Sequence, residues 1–200
     1  MTDSPPAPTQ PRRSQADRRA ATRGQLLDAA RALFTARGYA ETGTPDIVAA
    51  AGVTRGALYH HFADKTDLFR ALCQREADAV GRAIDAATAT IRDPAQALET
   101  GALAYLEAMA VPGRAVLLLV EAPAALGPEE AQRLMAGDGR AQLREGVQEA
   151  LPDLPLPECA ALADLLSAAF DRAALAIATG ADRQSHGSAM LRLLAAATGR

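Results

Sequence analysis

Arg55, Tyr59, His60 and His61 sit within seven residues, RGALYHH, bounded by Thr54 and Phe62. These side chains donate and accept hydrogen bonds or carry positive charge, and none of them pairs a nucleophile with a base. Carried on one short helix, they suit contact with base edges and phosphates of duplex DNA. No comparable set speaks for catalysis. The chain has three histidines, two of them in this run. It has no HExxH, nucleophile elbow, phosphate-binding glycine loop or paired-cysteine motif.

The residues on either side supply what such a helix needs. A preceding helix is expected to open near Thr44, with Pro45 at its first position, where a missing N–H costs nothing. Ile47, Val48 and Ala51 give that helix an apolar face. Gly52 ends it, because glycine enters the left-handed region cheaply and allows a tight turn. Val53 plugs the turn and Thr54 caps the second helix. Asp64 caps a third, with Asp67 three positions on. Two short helices joined at a Gly-containing turn place the second where it can enter a major groove.

The run GVTRGALYHHFADKTDLF, preceded by LLDAARALFTARGYAETGTPDIVAAAG, resembles the DNA-binding domain of the TetR family of one-component transcriptional regulators. The likeness runs without a gap from about Arg18 to about Leu72. It implies a role for each motif residue. Thr44, Thr54 and Lys65 would hold phosphates, so that removing Lys65 weakens all sequences alike. Arg55 would fork onto guanine O6 and N7. Gly56 and Ala57 would let the backbone come close, with Ala57 meeting a thymine methyl, and Tyr59 and His60 would complete the reading face. His61 either reaches a phosphate or packs under the helix, while Leu58 and Phe62 are core. Pro45 departs from the pattern, since several relatives carry a basic or polar side chain there, and this shifts discrimination onto Arg55, Tyr59 and His60.

Composition agrees with a helical protein. Hydrophobic residues make up 49% of the 200, aromatics 4%, and there is no Trp, so the core must be built from Ala, Leu and Val. AVLLLVEA at 115–122 could pass for a buried strand, but it lies among helical patterns. The net charge of −3 divides unevenly. Through Leu72, ten Lys/Arg stand against seven Asp/Glu, and from Cys73 onward eleven stand against seventeen. A basic head on an acidic body directs phosphate attraction to one end. Cys73 and Cys159 match no metal or redox spacing and are expected to be core fillers. No signal peptide or membrane-length apolar run is seen, so a reduced, cytoplasmic setting is expected, with no cofactor and no metal.

The expected organisation is all-α with about nine helices. Residues 1–13, with four prolines, form a disordered tail; 14–72 form the helix-turn-helix head; 73–200 form a helical ligand-binding and dimerisation body. Ser14 and Asp17 cap the first helix, whose inner face is Leu26, Leu27, Ala30, Leu33 and Phe34 and which Gly38 closes. Arg12, Arg13, Arg18, Arg19 and Arg23 are either a solvated face or an arm toward DNA. A helix from Asp64 to about Thr90 links head to body. The next, from Asp93-Pro94, turns Leu98, Leu103, Leu106 and Met109 inward. A short helix ends near Pro123, one from Gly127-Pro128 persists to about Leu151, and two more cover Pro157 to about Thr179 and about 182–198.

The last two helices carry long apolar faces. They either cap the monomer core or pair with a two-fold mate, as similar repressors do. The resemblance implies a repressor that binds a palindromic operator on double-stranded DNA as a homodimer and is released by a small-molecule inducer, with no membrane partner. Leu103, Leu106, Met109, Leu117, Glu121, Met135 and Phe170 are the candidate ligand-binding residues. Glu121, the polar member, either bonds a ligand or points to solvent. The alternative is an all-helical enzyme or ligand-binding protein without DNA-binding activity.

Overall fold

The first N–H groups of a helix have no partner within it, and in this chain side chains at fixed offsets supply one. The structure, a computed structural model, describes residues 14–135 and 138–199, with the backbone alone at 138 and 139. The expected tail at 1–13, with Arg12 and Arg13, lies outside the described residues. In α1 (Gln15–Arg37) the Ser14 hydroxyl accepts from Asp17 N–H at 3.0 Å, and the Asp17 carboxylate accepts from Ser14 N–H at 2.9 Å. Thr54 caps α3 (Arg55–His61) by accepting from Ala57 N–H at 3.1 Å. Asp64 caps α4 (Lys65–Thr88) by accepting from Asp67 N–H at 2.7 Å. Between them, α2 (Thr44–Ala51) ends at Gly52, whose φ of 65° is the left-handed turn the sequence required.

The head closes on a shared apolar centre. Leu26, Leu27, Ala30 and Phe34 of α1, Ile47 of α2, Leu58 of α3 and Leu68, Phe69 and Leu72 of α4 are all buried. Three aromatics meet where α1 ends on α4: Phe34 and Phe69 edge to face at 5.0 Å, with Tyr39 at 4.7 Å from Phe69 and 5.7 Å from Phe34. Such pairs add about 0.5–1.5 kcal/mol each beyond their buried area.

The body continues with α5 (Pro94–Met109), α6 (Arg114–Leu126), α7 (Pro128–Met135), α8 (Asp138–Ala150), α9 (Leu156–Ala178) and α10 (Arg183–Ala197). Among the described residues this makes ten helices and no strand. The long helix expected from 128 to 151 is described as α7 and α8, on either side of residues 136 and 137, which lie outside the described residues. The helix expected to end near Pro123 runs on to Leu126, because residues Leu117–Glu121 form a π turn in which Ala122 N–H reaches Leu117 C=O. Pro123 has no N–H to give, and the wider turn just before it accommodates the ring. The candidate strand at 115–122 is therefore helical. α4 lies along α5 and also meets α1, α7 and α8, while α9 packs on α8, α10 and α5.

Leu103 is a correction to the expected inner face of α5. Leu98, Ala102, Leu106 and Met109 are buried, whereas Leu103 is 47% exposed. At about 100° per residue, Leu103 points roughly 140° away from Leu98. Both thiols are buried, as expected. Burial, and then the negative charge of Glu76, pushes the Cys73 thiol up to about 12. Neither cysteine should therefore react with iodoacetamide in native buffer, and both should react once the chain unfolds. Rapid labelling of the native protein, read by mass spectrometry, would contradict this packing.

Candidate functional site

The reading helix is held from below. Leu58 is fully buried and Phe62 is 3% exposed, so the opposite face of α3 must turn outward. Arg55 and His60 are exposed there, and Tyr59 is 43% exposed. The Arg55 guanidinium lies 5.5 Å from the Tyr59 ring centroid, a cation–π contact that orders both side chains. The Thr44 hydroxyl and then Arg55 hold the Tyr59 phenol below its usual range. Gly56 is open, its would-be Cβ 3.9 Å from the Thr54 hydroxyl. Ala57 is half-buried.

His61 is half-buried, and desolvation, followed by the charges of His60, Arg19 and Arg23, lowers its pKa, so it is neutral at pH 7. Arg23 stacks over Phe62 at 5.3 Å from the ring centroid. Of the N-terminal arginines, Arg19 and Arg23 are thus drawn toward the reading helix. That convergence across the head had no signal in the local sequence.

Lys65 is also tied into the head. Its Nζ donates to the carbonyls of Tyr39 at 2.8 Å and Thr42 at 3.0 Å and lies 4.1 Å from the Tyr39 ring centroid. Two of its three N–H groups are engaged inside the head. The expected phosphate contact is left with one.

Polar joints tie head to body. Glu76 of α4 is 4% exposed. Its Oε1 accepts from Arg31 Nε of α1 at 3.0 Å, and its Oε2 accepts from Arg114 Nε of α6 at 2.8 Å. Arg31 also donates to Pro112 C=O, and Arg114 to Ala108 C=O. Burial alone would raise the Glu76 carboxyl, but the hydrogen bonds and charges of Arg114 and Arg31 outweigh it and hold the carboxyl below its usual range. Gly113, with φ of 81°, presses against α1, where a Cβ would stand 2.3 Å from Thr35 Cγ2. Glu121 accepts from Tyr39 N–H at 2.9 Å. That bond is to the end of α1, which corrects the two roles the sequence left open for Glu121, ligand contact and solvent.

A cavity of about 400 Å³ opens between α4, α5, α8 and α9. Of the seven candidate ligand residues, only Met135 and Phe170 line it. Leu106, Met109 and Leu117 are buried core, Leu103 is exposed and Glu121 serves the joint. Sequence reading missed the polar wall. Tyr105 donates to Asp171 Oδ1 at 2.5 Å, and Arg140 Nη2 stands 3.4 Å from Asp171 Oδ2. Burial, then the charge of Asp171 and the bond to it, keeps Tyr105 protonated, well above the usual tyrosine range. The Tyr105 ring meets Phe170 edge-on at 5.9 Å.

A helix-turn-helix head on a helical body that encloses a cavity defines a class of one-component regulator. Residues 26–72 match the family model described as bacterial regulatory proteins, tetR family, and residues 95–197, more than half of the chain, match the tetracyclin repressor-like C-terminal domain. The chain belongs to the TetR family of bacterial transcription regulators. A TetR-family transcriptional regulator from Pectobacterium atrosepticum is 31% identical, with a TM-score of 0.66, over 91% of this chain and 94% of that one. The regulator LfrR of Mycobacterium smegmatis, solved in complex with proflavine, has a TM-score of 0.65 at 24% identity over 90% of this chain and 97% of that one. The HTH-type transcriptional activator FasR of Mycolicibacterium smegmatis is 38% identical over 85 residues, 42% of this chain and 39% of FasR. The chain thus spans well under half the length of that curated relative. Among the described residues no single helix is long and apolar enough to cross a membrane.

Proposed function

We propose that the protein is a sequence-specific DNA-binding regulator of the repressor type, acting in the cytoplasm as a homodimer on a palindromic operator. One observation carries this reading: Arg55, Tyr59 and His60 stand together on the outward face of a seven-residue helix anchored by buried Leu58. Thr44 and Thr54 flank that face, and α-helix N-termini there suit phosphates. Two such heads, about one helical turn apart, would read two half-sites. Replacing Arg55 with alanine should cost about 1–3 kcal/mol of operator affinity and relax preference at one base pair per half-site. Selection of bound fragments from random DNA followed by titration of point-mutated sites tests this, and unchanged selectivity in the variant would count against it.

Dimerisation through α9 and α10 fits the side chains that the monomer leaves uncovered. Leu165 is 70% exposed and Leu193 45%, while Leu166, Ala173, Met190 and Leu194 on the same two helices turn into the protomer core. A two-fold mate would cover the outward set.

The cavity suits a small-molecule effector. Its wall includes Val80 and Ile84 of α4, and the same helix starts in the head at Lys65. A ligand that favours one placement of α4 would bias the spacing of the two heads, typically by about 1–3 kcal/mol of coupling. That LfrR was solved with proflavine supports the idea that a body of this fold holds a small molecule.

A further inference from the structure

We propose that the cavity takes a cationic amphiphile, a compact apolar body ending in a protonated amine. This names the ligand class for the effector site proposed above and rests on that reading for its regulatory meaning. The apolar end of the cavity is built by Val80, Ile84, Leu98, Ala102, Leu143 and Phe170. The polar wall is one-sided: Asp78, Glu145, Glu149 and Asp171 face a single guanidinium, Arg140, which already stands on Asp171. Asp78, Glu145 and Glu149 are exposed and mark the mouth.

One buried acceptor points to what is missing. Gln142 Oε1 is buried without a partner, while its amide nitrogen donates to Asp85. Flipping that amide would set oxygen against carboxylate, so the orphan atom is the oxygen. Ser167, 7% exposed, lines the same cavity. A buried acceptor left unbonded is unfavourable, and an N–H donor restores it. An ammonium brings three donors and a charge that the four carboxylates attract. A carboxylate ligand brings acceptors to acceptors and meets like charge. A cavity of about 400 Å³ lies in the lower part of the range for small-molecule sites, which favours a medium-length chain.

The test uses the full chain and three probes with one apolar tail: decylamine, 1-decanol and decanoate, titrated calorimetrically below their micelle concentrations. Decylamine should bind once per protomer, about tenfold tighter than decanol, with decanoate weaker than both. Neutralising the exposed mouth (Asp78→Asn, Glu145→Gln and Glu149→Gln together) should remove about tenfold of the amine affinity and leave decanol unchanged. Ala102→Phe, which fills the apolar end, should abolish binding of all three. Decanol or decanoate binding as tightly as the amine, no binding by any probe, or amine binding that survives Ala102→Phe each overturns the proposal. Operator release is measured in the same samples. Amine binding without release upholds the ligand class and removes the effector reading, so the two fail separately.

Discussion

Glu76→Ala will lower the stability of the folded protein by about 3–5 kcal/mol, the largest loss expected from any single polar substitution. The carboxylate is 4% exposed and stands between two guanidinium groups. Removing it leaves Arg114, whose side chain is 12% exposed, and Arg31 facing each other without a counter-charge. For a domain of this size the midpoint of thermal unfolding should fall by roughly 6–20 °C. Glu76→Gln keeps an acceptor for one arginine and should lose less. The sign of the pH dependence follows from the carboxyl being held below its usual range. The folded state binds fewer protons at this site than the unfolded chain, so its contribution is complete above about pH 4.3 and is lost as pH falls through the lowered value. The gap between wild type and Glu76→Gln should close in that acidic window. A gap independent of pH down to 3 would show that charge is not what the site contributes.

Lys65→Met is expected to destabilise the head by about 2–4 kcal/mol before any DNA is added, because it strips two carbonyls and an aromatic ring of their cation. The distances of 2.8 and 3.0 Å to Tyr39 and Thr42 make this a fastening of the loop between α1 and α2. Thermal unfolding without nucleic acid separates this role from a phosphate contact. If Lys65 acted on phosphate alone, the unfolding midpoint would stay put and only the salt dependence of operator binding would flatten by about one charge per head.

The difference between Leu58 and Lys65 shows which features the sequence could convey. Leu58 was legible because its burial follows from a three-residue cap, a seven-residue helix and one apolar face, all within Thr54–Phe62. Ser14, Asp64, Gly38 and Gly52 were legible for the same reason, since each acts within four residues of itself. Lys65 finds its partners 26 and 23 residues away, and Glu121 finds its partner 82 residues away. No local spacing encodes such distances. The cavity was hidden by a different degeneracy. α5 is rich in Ala and Leu, so several of its faces are apolar enough to be inner ones, and Leu103 was placed on the wrong face. Tyr105 is one of three tyrosines, yet its pairing with Asp171 is purely tertiary.

The π turn at Leu117–Glu121 also sets the phase between two anchors on one rod. Arg114, before the widened turn, engages Glu76, and Glu121, at its end, engages Tyr39. One surplus residue in a helix offsets everything beyond it by about 100°. The rod therefore grips the DNA-facing module at two points only while that surplus is retained. A lineage that lost a single codon here would keep a sound helix, yet it could not meet Glu76 and Tyr39 at once.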